Sequence, residues 1–402
     1  MVIVNSKNSI NNYLKDALDI SDEIISNRRY LHQNPELSFV EYNTSQYIQG
    51  KLSAMGIPFT VMASTGVIAH IGTGLRCVAL RADIDALPIH EETGLEFSSK
   101  FDGVMHACGH DAHTAMLLGA AKLLKRQENE LGGVIKLIFQ PGEEKAPGGA
   151  NILIKEGVLA NPTPEVIFGQ HVYPGNPIGE CSFVSGSMMA SADELYWTIK
   201  GKSCHAAQPH QGTDPILVAA ELISHLQSII TKMRNPLSPG VLAITSIHAG
   251  NVTNIVPDSV EIMGTLRSFD DEWRHLALSE IERRSLLVAE LHGATCEFKP
   301  LIGYPPLVNN NKAVEFARKT AESLFGTKKV TDFEPKMWGE DFAFYAQQIP
   351  ACFWVMGVRP LDIDSMPGLH NDKFTPDEDA FAYGTALLAS VAINWLNNPN
   401  PF

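Results

Sequence analysis

Apolar positions along this chain follow two rhythms, and the balance between them changes twice. From about residue 11 to residue 56 the spacing is helical, broken by turn residues at Asn34-Pro35. A β-rich stretch follows and ends in RCVALRADIDAL (76–87), where Cys77-Val78-Ala79-Leu80 reads as a short apolar strand with Asp83 and Asp85 just beyond it. Met116, Leu117, Ala120, Leu123 and Leu124 recur at helical spacing and predict a helix from His110 to about Lys125. GVIKLIFQ (133–140) is a buried-strand pattern that stops at Pro141-Gly142, and EVIFGQ (165–170) is another, halted by a turn at Tyr173-Pro174-Gly175. Strands alternating with helices predict an α/β fold with a mainly parallel sheet covered on both faces.

The middle of the chain has a different rhythm. Glu194–Lys200 alternates as a half-buried strand does, Asp214 opens a helix to about Met233, and Val241–His248 and Ser259–Ser268 are strands. Asp270 opens a second helix to about Leu291, and Thr295–Leu301 is a last strand. The order β-α-β-β-α-β predicts an inserted ferredoxin-like α+β domain, bounded at Gly186 and Gly303. Residues 186–303 then form one domain, and 1–185 with 304–402 form the other.

Charge narrows the partners. The 402 residues carry 31 Lys+Arg against 45 Asp+Glu, formally −14, and an acidic surface repels phosphate backbones and anionic lipid. Nucleic acid and membranes are therefore not expected as partners. Six cysteines without a C-x-x-C pair, no basic start followed by an apolar run, and no membrane-length apolar segment point to a reducing cytoplasm.

Metal-ligand residue types gather where strands end. Asp83 and Asp85 follow one strand, Glu143 and Glu144 a second, and His171 a third. In open α/β sheets, ligands bind in the crevice beyond such strand ends. MHACGHDAH (105–113) places Cys108, His110 and His113 at a helix start, and thiolate with imidazole suits zinc-type ions. QPGEE (140–144) supplies adjacent carboxylates that point in different directions, so one can bind an ion while its neighbour faces the attacking water. His370, in GLHN (368–371), completes a possible ligand set, and WGEDFAF (338–344) reads equally as a helix start or a pocket wall.

Six motifs carry a resemblance over about residues 31–385: MHACGHDAH, QPGEE, GQHVYP (169–174), GKSCHAAQPHQGTDPI (201–216), GEDFAFY (339–345) and LHN (369–371). In this order they resemble the hippurate hydrolase and indole-acetyl-amino-acid hydrolase group of the metallo-aminoacylase and carboxypeptidase superfamily. The resemblance implies an N-acyl-amino-acid amidohydrolase with two divalent ions; the donors suit manganese or zinc first, since a thiolate favours zinc, and carboxylate with imidazole also admits cobalt or nickel. It implies Cys108, His110, Glu144, His171 and His370 as ligands, with Cys108 bridging where many relatives have Asp. Glu143 is implied as general base and later proton donor, and Asp85 as a residue that orients a ligand from behind. His113 is outside the implied set and reads as structural. The middle domain is implied to be a lid through which a homodimer, or a tetramer, assembles; His205 would stabilise the oxyanion, and Asn254 and Arg267 would hold the substrate carboxylate. Guanidinium chemistry supports Arg267, because it binds carboxylate in a planar, bidentate way. Two rivals stay open: a metallo-dipeptidase or carboxypeptidase, and a catalytically silent metal-binding relative.

Overall fold

The structure is a computed structural model that describes residues 12–401. The expected lack of a signal peptide concerns a segment whose first eleven residues lie outside them. Two compact units are present: residues 12–188, 308–335 and 341–401, and residues 189–307 with 336–340. The fold class is the expected one, a mixed α/β unit with a ferredoxin-like unit inserted.

The first unit is built on an eight-stranded sheet. Its strand order is Phe59–Met62, Gly66–Ile71, Val134–Gln140, Cys77–Asp83, Val166–Pro177, Ala351–Arg359, Cys181–Phe183, Val330–Asp332. The four central strands pair in parallel, and antiparallel pairs flank them. Both Cys77–Asp83 and Val134–Gln140 are buried at every position, as strands covered on two faces must be. Helix His110–Arg126 is buried nearly all round, and Ala112, Met116, Leu117, Ala120 and Leu124 are sealed in the core with Phe139, Phe168 and Trp395.

Two strand ends differ from the sequence reading. Asp83 is the last residue of its strand and not just beyond it. The expected turn at Tyr173-Pro174-Gly175 is overridden, because Val172, Tyr173 and Pro177 pair with Met356, Gly357 and Arg359 of the neighbouring strand. His171 therefore lies inside a strand, opposite Val355.

The second unit has a four-stranded antiparallel sheet in the order Gly240–His248, Ser259–Ser268, Ala192–Lys200, Thr295–Tyr304. Helices Pro215–Ser228 and Asp271–Leu291 are capped by Asp214 and Asp270, whose side chains accept from backbone N–H groups of the first turn. Residues 336–340 join this unit through Lys336, whose carbonyl accepts from Ala190 N at 3.1 Å. Leu195, Trp197, Leu222, Leu226, Ile262 and Ile281 form its separate core. Among the described residues one helix, Pro215–Met233, is long and apolar enough to cross a membrane; Val218, Ala219, Leu222 and Leu226 bury one side of it in this core.

Candidate metal centre and active site

Local structure explains how distant donors meet. Cys108 and His110 flank Gly109, which takes φ +88° and so turns the chain into the helix His110–Arg126. His110 and His113 are three residues apart and share a helix face toward the end of the Cys77–Asp83 strand. The turn after Val134–Gln140 carries Glu143 and Glu144, and the next strand brings His171. His370 has φ +59°, and its backbone N–H donates to Ala107 O at 2.9 Å, which fixes its loop beside Cys108.

The five candidate ligands form two groups that share Cys108. Its Sγ lies 3.4 Å from His171 Nε2 and 3.3 Å from His370 Nε2. His370 Nε2 is 3.2 Å from Glu144 Oε1, and His110 Nε2 is 3.9 Å from the same oxygen. Cys108, His110 and His171 can thus enclose one ion, and Cys108, Glu144 and His370 another. Two of the imidazoles have spent their other nitrogen: His110 Nδ1 on Asp85 Oδ1 at 3.1 Å and His171 Nδ1 on Val172 O at 2.7 Å. Asp85 also accepts from Ser38 Oγ at 2.6 Å and from Glu144 N at 2.9 Å, so one carboxylate orients two candidate ligands.

Among the described residues, buried His110 Nε2 and Glu144 Oε1 have no hydrogen-bond partner, a costly state unless something else satisfies them. The electrostatics make the same demand. Burial, then Glu144, Glu143 and Asp83, push the Cys108 thiol well above its ordinary range. Burial pulls the His110 imidazole down, but Asp83, Asp85 and Glu144 outweigh it and raise the ring to about 10. The pocket is short of positive charge, and a thiol with imidazole and carboxylate donors is chemistry that divalent ions fit.

His113 is held away from that role. Its Nδ1 donates to Asp83 Oδ1 at 2.6 Å and its Nε2 accepts from Val172 N at 2.9 Å, so neither nitrogen is left to coordinate. Behind the helix start, Asp111 Oδ2 meets Arg28 Nε at 2.9 Å and His32 Nδ1 at 2.7 Å, and His32 Nε2 meets Glu91 at 3.1 Å. Sequence reasoning missed Arg28, His32, Ser38 and Glu41; none lies in a ligand-rich motif, and each acts across the fold.

Glu41 supports the Glu143–Glu144 turn from below. Its Oε1 accepts from Gly142 N at 2.9 Å and Phe39 N at 2.8 Å, and its Oε2 from Thr65 Oγ1 at 2.7 Å. Burial, then the Asp85 charge, raise its pKa from 4.5 to about 7. The folded chain therefore binds this proton more tightly than the unfolded chain, and stability falls as pH rises from 4.5 to about 7. Glu41→Gln keeps an acceptor oxygen and carries no charge, so it should gain on the parent protein across that window, by at most roughly 3 kcal/mol. Urea midpoints of both proteins at pH 5 and pH 8 check this, and a pH-independent difference would contradict it.

Gly109 gives a second expectation. A Cβ there would lie 2.4 Å from Val172 Cγ2, on a backbone conformation that L-residues disfavour. Gly109→Ala should cost roughly 2–4 kcal/mol and weaken metal binding, because both neighbours are candidate ligands. Urea unfolding with metal analysis reads both, and an unperturbed variant would show that the turn is not constrained.

The second unit holds the remaining candidates. His205 is exposed, and its short strand pairs with Ile255–Val256, next to Asn254; Ala206 N donates to Asn254 O at 3.0 Å. His205 Nδ1 accepts from Ala207 N at 3.0 Å, which leaves Nε2–H as a donor in the neutral ring. Arg267 lies on Ser259–Ser268, half-buried, with no carboxylate partner among the described residues; burial lowers its pKa against the pull of Asp193 and Glu194.

Residues 79–394 match the sequence profile of peptidase family M20/M25/M40. IAA-amino acid hydrolase ILR1-like 4 of Arabidopsis thaliana is 39% identical over 386 residues, covering 94% of this chain and 87% of the relative. Thermostable carboxypeptidase 1 of Saccharolobus solfataricus is 37% identical over 388 residues, covering 95% and 98%. Among solved structures, the Bacillus subtilis YXEP protein, described as a dinuclear metal binding peptidase from the M20 family, superposes with a TM-score of 0.80 at 37% identity, covering 94% of this chain and 99% of that one.

Proposed function

The chain belongs to peptidase family M20/M25/M40, and we propose that it is a metal-dependent amidohydrolase that cleaves N-acyl-L-amino acids to a carboxylic acid and a free amino acid. The substrates of this reading are hippurate-like, N-acetyl and indole-acetyl conjugates. The observation that carries it is the donor arrangement around Cys108, with His110 Nε2 and Glu144 Oε1 buried beside it and making no hydrogen bond among the described residues. Two divalent ions, manganese or zinc, with cobalt and nickel also admitted by the donors, would be held by His110 and His171 on one side and Glu144 and His370 on the other, with Cys108 shared. When bound, the ions supply a Lewis acid for the scissile carbonyl and make water acidic enough to lose a proton near neutral pH.

Glu143 takes the proton from the attacking water and returns it to the amide nitrogen as the C–N bond breaks. Its burial, beside Glu144 but outside the two donor groups that share Cys108, supports this role. His205 offers its Nε2–H to the developing oxyanion, and Asn254 and Arg267 hold the substrate carboxylate. The lack of a carboxylate partner at Arg267 among the described residues supports that assignment. The chain acts as a homodimer, or a tetramer, assembled through its lid unit; exposed Ile216 and Leu217 and the sheet-edge strand Gly240–His248 support such an interface. Six free cysteines fit a reducing cytoplasm.

The similarity to a carboxypeptidase keeps a peptidase acting on free-amino peptides as the second reading. A panel of hippurate, N-acetyl-methionine, an indole-acetyl conjugate and a dipeptide separates the two. Metal-dependent release of amino acid from the acylated substrates is expected. Release from the dipeptide alone would replace this reading with the second, and release from none would leave a silent relative.

A further inference from the structure

The GEDF motif at 339–342 is not used by the chemistry above, yet its Asp341 is among the most heavily tied residues in the first unit. Asp341 Oδ1 accepts from Arg81 Nη2 at 2.8 Å and from Gln140 Nε2 at 2.7 Å. Its Oδ2 accepts from Gln140 Nε2 at 2.8 Å and from Ala150 N at 2.9 Å. Arg81 Nε closes the ring by donating to Gln140 Oε1 at 2.9 Å, and its Nη1 reaches Asp83 at 2.6 Å. The side chains of Arg81, Asp83 and Asp341 are fully buried. With its carboxylate fixed in this way, Asp341 points its own backbone N–H at Glu143 Oε1, 3.4 Å away.

We propose that Arg81 and Asp341 are a positioning pair that sets the orientation of the Glu143 carboxylate through the backbone N–H of Asp341. This rests on Glu143 being the general base. Both ends of the active turn answer to the pair: Gln140 at its start is gripped by both side chains, and Glu143 three residues later receives the Asp341 N–H. Each hydrogen bond to the Asp341 carboxylate comes from a donor, so an amide in its place would turn an NH2 against a donor. Removing the Asp341 charge also leaves Arg81 with Asp83 as its partner in this ring and takes the carboxylate from Arg81 Nη2, which a sealed site tolerates poorly. A small rotation of Asp341 moves the Glu143 oxygen, and a misplacement of about 1 Å at a reacting group costs on the order of 10²-fold in rate.

The test uses Asp341→Asn and Arg81→Lys in the metal-loaded enzyme, each alone and combined with Glu143→Gln. Each single variant is expected to lose on the order of 10²-fold in kcat, with KM within about threefold and metal content unchanged. In the Glu143→Gln background the same substitutions should cost little more, because they act through a group already removed. Arg81→Lys keeps the charge and serves if Asp341→Asn does not fold. An unchanged kcat, or a loss that multiplies fully in the Glu143→Gln background, would overturn the proposal. Near-normal activity of Glu143→Gln itself would instead remove the base assignment on which it rests.

Discussion

Glu143→Gln is expected to keep its metal and to lose about 10²–10⁴-fold in kcat, the range that a positioned proton-transfer group contributes. The amide is nearly isosteric and can still accept the N–H of Asp341, so the turn should hold its shape. It cannot take a proton from water or return one to the leaving nitrogen, and both halves of the reaction are slowed. KM should change little, since Glu143 is assigned to moving a proton and not to gripping the substrate. Steady-state kinetics with metal analysis of the same sample check this; near-normal turnover would end the assignment.

Cys108→Ala should act in the opposite order, losing metal first and activity as a consequence. Its Sγ lies within 3.4 Å of both His171 and His370, and it is the donor common to the two groups. Without it each group falls to two strong donors, and affinity should drop by at least about 10²-fold, beyond what the loss of an outer hydrogen bond costs. The stabilisation that bound metal gives the folded chain disappears as well, so added Mn²⁺ should raise the Tm of the parent protein and not of the variant. Cys108→Asp restores an anionic donor of similar reach and should recover part of both. A fully metallated Cys108→Ala protein would show that the thiol does not bridge.

The ligand candidates were legible because they cluster in short motifs: Cys108, His110 and His113 lie within six residues, and Glu143 and Glu144 are adjacent. Convergence was legible too, since successive strands of a parallel sheet deliver their ends to one side. The resemblance already set His110 apart from His113, and the coordinates supply a physical reason in what each ring's nitrogens meet: Asp85 at His110 Nδ1, and both Asp83 and Val172 N at His113. What sequence could not give are the supports contributed from far away. Arg81 and Asp341 are 260 positions apart and Glu41 and Gly142 are 101 apart, and no periodicity links them. The overrun at Tyr173-Pro174-Gly175 has the same origin: local turn chemistry was sound, but pairing with Ala351–Arg359 prevailed. The inserted α+β unit was legible because each helix begins at an Asp cap, Asp214 and Asp270, and the two central strands, Ala192–Lys200 and Ser259–Ser268, alternate.

Titrating the chelated protein with Mn²⁺ or Zn²⁺, while following both bound metal and amino-acid release from an N-acyl substrate, tests the dinuclear amidohydrolase most directly. The expected result is two ions bound per chain, with hydrolysis absent before the titration and complete at saturation. Full hydrolysis after chelation, or a protein that takes up no metal, would contradict it.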